Sequence, residues 1–426
     1  MRIIDASDER AVMKIVDRDA ARDPAVERAA ARIVRDVRRR GDRAVREWTR
    51  QFSAVSAGRL ALGNLEVSHI ELNAGYRATP VPVRRAIRTA LRNIETVAAR
   101  QLPKPFTLTV SPGIRIEQRV QPLARVGCYV PGGRFPLPST LLMTAVPARV
   151  AGVAEITVVC PSPAPAVMTA ALEAGVTRVL RIGGAQAVAA LAYGTASIAR
   201  VDKIVGPGSA WVAAAKTLVS ADCPIDFNAG PSEIVVCSDR GNAEWIAADL
   251  LAQAEHDPAA RAILVTTNRG LAEQVAAAVR AQLPADGAAP LAIRKNGAIV
   301  VARSRSDAIG LVNRIAPEHL VCDRASDVKA FRSAGTVFVG EWSAQAAGDY
   351  GTGSNHVLPT GGAARFRGGL SPADFVRVFT VQTLTQRGLR SIGPAVVDLA
   401  EAEGLTMHAR SVRLRMSHWA NEAVRQ

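Results

Sequence analysis

The spacing of apolar positions changes along the chain. From residue 23 to about 52 they recur at three- and four-residue steps, with Asp23 placed to cap and Pro24 at the first helical position, which predicts helix. Residues 81–102 continue in that style until Pro103 and Pro105 interrupt it, and residues 106–120 alternate like an antiparallel ribbon. Beyond this point short apolar runs at residues 125–130, 155–160, 178–182 and 201–206 are each followed by a Gly, Pro or Ser turn and an Ala-rich helical segment. The alternation resumes at 233–237, 262–266, 298–302, 319–322 and 337–340. Strands separated by helices pair in parallel, because the crossover returns the chain to the same end of the sheet.

The predicted fold class is therefore α/β: two tandem Rossmann-like parallel-sheet units with a helical N-terminal region and a helical C-terminal tail. Residues 1–105 are expected to form the N-terminal region and to pack on the second α/β unit. Residues 106–228 form the first α/β unit and 229–360 the second, while 361–426 form a Gly-rich and then helical tail without its own sheet. The seam falls in residues 223–232, the default place for a ligand between two such sheets.

A length of 426 residues suits two or three packed units. The net charge of +15 invites a polyanion partner, but the arginines recur along nearly every predicted helix, only six residues are Lys and aromatics are few. No nucleic-acid binding is expected. Five cysteines without a C-x-x-C pair offer neither a disulfide framework nor a thiolate zinc site, and read as a reducing compartment. Met1-Arg2-Ile3-Ile4-Asp5 lacks the apolar core of a signal peptide, and the most apolar stretch, 141–160, is interrupted by Pro147, Arg149 and Glu155. A cytoplasmic protein with no membrane span is expected.

Candidate chemistry is concentrated in four places. Gln253 and His256 close a helix that begins near Ala243 and project from one face, as two ligands from one turn would; a solvated helix end reads the same way. Glu318-His319 places an acid and a base side by side at a helix-to-strand junction. The glycine-spaced segment from Gly348 to His356 offers Asp349 and His356 on a loop, and Glu403 with His408 gives the tail a second acid and imidazole. Four of the six histidines fall in these motifs. Imidazole nitrogen, carboxylate oxygen and a neutral amide oxygen together suit Zn²⁺ or a similar divalent ion. Glycine turns at 131–133, 183–184 and 206–208 each precede a helix and could face a pyrophosphate with free backbone N–H groups, although glycine also simply permits tight turns.

Taken in order, these motifs resemble histidinol dehydrogenase. The likeness rests on Arg125-Val126-Gly127-Cys128-Tyr129-Val130-Pro131-Gly132-Gly133, Gly183-Gly184-Ala185-Gln186-Ala187, Val205-Gly206-Pro207-Gly208, Ala229-Gly230-Pro231-Ser232-Glu233, Gln253-Ala254-Glu255-His256, Pro317-Glu318-His319-Leu320, Gly348-Asp349-Tyr350 with Asn355-His356-Val357-Leu358-Pro359-Thr360, and the stretch Glu403 to His408. It spans essentially the whole chain.

The resemblance implies zinc- and NAD-dependent, four-electron oxidation of L-histidinol to L-histidine via L-histidinal, on a fold like that of the aldehyde dehydrogenases. It implies one zinc per subunit held by Gln253, His256, Asp349 and His408. His319 is the implied base for the alcohol proton and Glu318 the base for water. The resemblance further implies that Ser232, His356 and Glu403 hold the substrate beside the metal ligands and His319, and that Tyr129, Gln186 and Ser209 contact NAD in the first α/β unit. It implies too that the tail crosses to the partner, so that a homodimer would share its active sites. A relative oxidising another alcohol and a non-catalytic metal- or nucleotide-binding scaffold are the alternatives. Two positions depart from the family pattern: Ser209 stands where Asn is usual, a shorter arm toward NAD, and Asn228 where Pro is usual, which is expected to loosen the seam loop.

Overall fold

The computed structural model describes residues 1–17, 23–55, 65–132, 136–228 and 230–423. Gly133 and Ala229, members of two motifs above, lie outside the described residues. The chain divides into two compact units, one of Met1–Leu102 with Leu123–Phe375 and one of Pro103–Pro122 with Val376–Gln426.

The larger unit carries two parallel sheets. One runs, edge to edge, Arg178–Leu180, Glu155–Val159, Arg125–Tyr129, Lys203–Val205. The other runs Arg2–Asp5, Ala298–Val301, Arg261–Thr266, Glu233–Cys237, His319–Cys322, Thr336–Val339. The central strands are near-continuous apolar runs because helices cover both faces. Alternation then splits each strand between two cores: Ile234, Val236 and Leu264 pack on one side, Val235, Cys237, Val265 and Leu320 on the other. Every strand expected in these two sheets is present in parallel pairing. Arg2–Asp5, which was not anticipated, adds an edge.

The N-terminal helices pack elsewhere than expected. Pro24–Arg40, capped by Asp23 through the Ala25 amide at 2.8 Å, presents Ala30, Ile33, Val34 and Val37 to Val188, Leu191, Val212 and Ala215 of the first sheet's helices. The reason is steric. The helices Gly184–Tyr193 and Ala210–Val219 are rich in alanine, so an apolar stripe can approach closely. The strand Arg2–Asp5 and the helix Glu9–Val16 join the second sheet instead.

The smaller unit corrects two further expectations. Phe106–Ser111 and Ile114–Pro122 do not belong to the first α/β unit, and the tail does have a sheet, since Val376–Leu384 pairs antiparallel with Ile114–Pro122 over its whole length. Two helices follow, Gln386–Ala402 and Thr406–Ala423, meeting over a core of Val397, Ala400 and Ala409. Phe106, Leu108, Val110, Val378, Phe379, Leu399, Met407 and Leu414 are exposed. Among the described residues no helix is long and apolar enough to cross a membrane.

Candidate active site

The site is built at the N-terminal ends of the strands Glu233–Cys237 and His319–Cys322. The helix Arg305–Ile315 stops at Ala316, whose left-handed backbone turns the chain sharply, and Glu318 and His319 enter the sheet directly beside Glu233. Both are buried. One Glu318 oxygen accepts from the Ser232 hydroxyl at 2.5 Å and from the Glu233 amide at 2.9 Å. His319 Nδ1 lies 3.1 Å from the Glu233 carbonyl oxygen, so this nitrogen carries the proton and donates. The opposite nitrogen, Nε2, is left as the lone-pair face. It is buried with no hydrogen-bond partner among the described residues and lies 3.8 Å from Asp349 Oδ1.

Burial and neighbouring charge shift both groups from their ordinary values. Burial pushes the Glu318 carboxyl up to about 7, against the pull of adjacent His319 and the Ser232 and Glu233 donors. Burial opposes charging of His319, but the Glu318 and Asp349 carboxylates beside it outweigh that and hold its pKa above the usual value. For Asp349 burial is likewise overcome, by His319 and His356, and its pKa is lowered. Burial pushes the His356 pKa down, against the pull of Asp349, whose carbonyl accepts from His356 Nδ1 at 3.0 Å.

The metal candidates are brought together in part. Gln253 is fully buried; its Nε2 donates to Ser232 Oγ at 2.6 Å, while its Oε1 has no hydrogen-bond partner among the described residues. A contact chain thus runs Gln253, Ser232, Glu318, His319, Asp349. His256 follows one turn beyond Gln253, is exposed, and lies near enough to His356 to depress it electrostatically. Asp349 sits in the short helix Gln345–Tyr350, not on the loop that glycine spacing suggested, and Gln345 donates to its other oxygen at 2.8 Å. Glu403 and His408 belong to the smaller unit, where both are exposed near the turn between its two helices. Among the described residues no three His, Cys, Asp or Glu side chains form a metal-sized group.

Several contributors escaped sequence reasoning. The Phe338 ring stacks on His319 with centroids 6.2 Å apart and leaves room only for glycine at 348, where a Cβ would stand 2.5 Å from the ring. Gln345 and Phe338 carry no local signal. Glu233 does, because it lies inside a quoted motif.

In the first sheet the candidate nucleotide residues stand at the C-terminal ends of the strands, where such sheets bind ligands. Tyr129 is buried, its phenol pushed up to about 12 by that burial, and it accepts from the Gly184 amide at 2.9 Å. Gln186 Oε1 is buried without a partner among the described residues. Ser209 is exposed at the start of Ala210–Val219 and its side chain makes no capping hydrogen bond. At Asn228, where loosening of the seam loop is expected, the side-chain oxygen stands 2.8 Å from Thr217 Oγ, within reach of a hydrogen bond from that hydroxyl.

All five cysteines are buried, and burial pushes Cys128 and Cys237 up to about 12 and Cys160 and Cys223 to about 11. With thiolate chemistry disfavoured, fold and site together define an α/β enzyme whose candidate site sets a buried imidazole beside a buried carboxylate.

The histidinol dehydrogenase family model matches residues 16–416, and the chain belongs to that family. It is an oxidoreductase acting on histidinol in histidine biosynthesis. Histidinol dehydrogenase of Brucella suis is 44% identical over 403 residues, covering 92% of this chain and 93% of the relative. That of Bradyrhizobium diazoefficiens is 46% identical with the same coverage of both. The crystal structure of histidinol dehydrogenase from Elizabethkingia anophelis superposes with a TM-score of 0.93 at 32% identity, covering 99% of each chain.

Proposed function

We propose that the chain converts L-histidinol to L-histidine through L-histidinal, taking two NAD⁺ in turn, as a cytoplasmic homodimer with one zinc ion per subunit. The observation that carries this reading is the bare, buried Nε2 of His319, aimed beside Asp349 with its other nitrogen pinned.

The residues present fit both groups. Gln253 Oε1 is a buried oxygen with no donor among the described residues, a natural cation ligand; Asp349 and His256 would supply the carboxylate and imidazole, and the partner subunit's His408 would complete the set. Gln186 Oε1 is a comparable orphan in the first sheet, beside Tyr129 and the Gly184 amide. When bound, the metal acts as a template that keeps the aldehyde in place between the two oxidations, and NAD⁺ is the electron acceptor.

The chain's own residues move the protons. His319 Nε2 takes the hydroxyl proton of the alcohol as it is oxidised. Glu318 then takes a proton from the water that adds to the aldehyde carbon, and the hydrate is oxidised to the acid. Ser232, bonded to both Gln253 and Glu318, holds metal ligand and second base in register. The exposed apolar residues of the smaller unit support a second copy covering them, which would bring Glu403 and His408 to the partner's site.

Two NADH formed per histidinol, abolished by a chelator and restored by Zn²⁺, is the expected result. Reduction with other alcohols but not histidinol would overturn the substrate assignment. His408→Ala is expected to lower bound zinc per subunit by at least about tenfold, measured by metal analysis after dialysis; full zinc retention would remove the tail from the site.

A further inference from the structure

Lys216 and Asp226 form an ion pair with exposures of 3% and 4%, and both ends grip the same glycine. Lys216 Nζ donates to the Gly206 carbonyl at 2.9 Å, while the Asp226 carboxylate accepts from the Gly206 amide at 2.7 Å and from the Phe227 amide at 2.7 Å. Gly206 has φ +108°, and a Cβ there would collide with the Tyr129 carbonyl oxygen, so the turn is seated on the backbone of the residue whose phenol bonds Gly184. The three turns of the candidate nucleotide site are thereby keyed to one another. On its other side Asp226 heads the seam loop, which adds alongside the first sheet through Ile204 N–H to Pro224 O at 2.9 Å and Asp226 N–H to Ile204 O at 3.1 Å. Further along that loop, Ser232 reaches Glu318.

A pair buried this deeply is a poor device for stability, since an apolar or neutral replacement of both members is often as stable. What it controls is direction, because charge-assisted bonds to both the N–H and the C=O of Gly206 hold the two peptide groups that flank it and so fix the orientation of the turn. We infer that Lys216 and Asp226 are positioning residues, holding the Gly206–Ser209 turn in register with the loop that delivers Ser232 to the acid–base pair. This rests on the proposal that NAD⁺ binds at that turn.

The test compares wild-type dimer, Lys216→Met and the neutral double variant Lys216→Met/Asp226→Asn. It measures KM for NAD⁺ and for histidinol, kcat, NAD⁺ Kd by calorimetry, and Tm. The single variant leaves a buried carboxylate unpaired and is expected to lower Tm. The double variant is expected to recover most of that Tm, yet keep KM and Kd for NAD⁺ raised about tenfold, with KM for histidinol within about twofold of wild type. A double variant with wild-type NAD⁺ affinity overturns the assignment, and so does a parallel rise in both KM values, which would mark general damage. A wild-type enzyme that binds no NAD⁺ fails one step earlier, at the cofactor reading itself.

Discussion

His319→Asn is expected to slow histidinol oxidation by about 10² to 10⁴-fold while leaving fold and zinc content unchanged. The choice of Asn follows from the two nitrogens of the imidazole. Nδ1 is structural, donating to the Glu233 carbonyl, and the amide of Asn can take over that bond. Nε2 is the chemical end, and Asn has nothing where that lone pair stands beside Asp349. The variant therefore keeps the strand junction and loses the base. Stopped-flow NADH formation with metal analysis of the same sample measures both, and an Asn variant turning over at the wild-type rate would assign the first proton to another group. With His319 proposed as the base of the alcohol step, oxidation of added histidinal should suffer less than oxidation of histidinol.

The parts of this architecture that could be read in advance share a physical cause. Strands such as Glu233–Cys237 and Arg261–Thr266 are covered on both faces, so burial writes itself into unbroken apolar runs. Val376–Leu384 is largely exposed and its partner strand lies far back in the sequence, so no buried apolar run marks it as a strand. The stripe on Pro24–Arg40 announced a buried face but could not say which helices would meet it; the alanines of Gly184–Tyr193 decide that in three dimensions. In the site, Glu318 and His319 were legible because they are adjacent, and the zinc, nucleotide and substrate candidates came through the family resemblance. The residues that aim them were not legible: Gln345 against Asp349, Phe338 against His319, and Lys216 with Asp226 at Gly206 act across folded contacts without a local pattern.

Glu318→Gln is expected to uncouple the two oxidations, so that about one NADH forms per histidinol instead of two and histidinal builds up. Gln can still accept from the Glu233 amide or the Ser232 hydroxyl, so the loop should hold, but it cannot take a proton from water. The pH dependence separates this from simple disruption. With its carboxyl pushed up to about 7 by burial, Glu318 becomes a base only as pH passes neutrality, so wild-type oxidation of histidinal should climb between about pH 6 and 8 and then level. The Gln variant should show no such rise. Stability moves the other way. The folded protein holds the Glu318 proton to higher pH than the unfolded chain does, so native stability falls as pH rises from about 4.5 to 7, by a total of order 3 kcal/mol. The Gln variant escapes that loss, and its Tm relative to wild type should increase across the same interval while its activity does not. A wild-type histidinal step that is flat from pH 6 to 8, or a Gln variant that still releases two NADH, would take the second base away from Glu318.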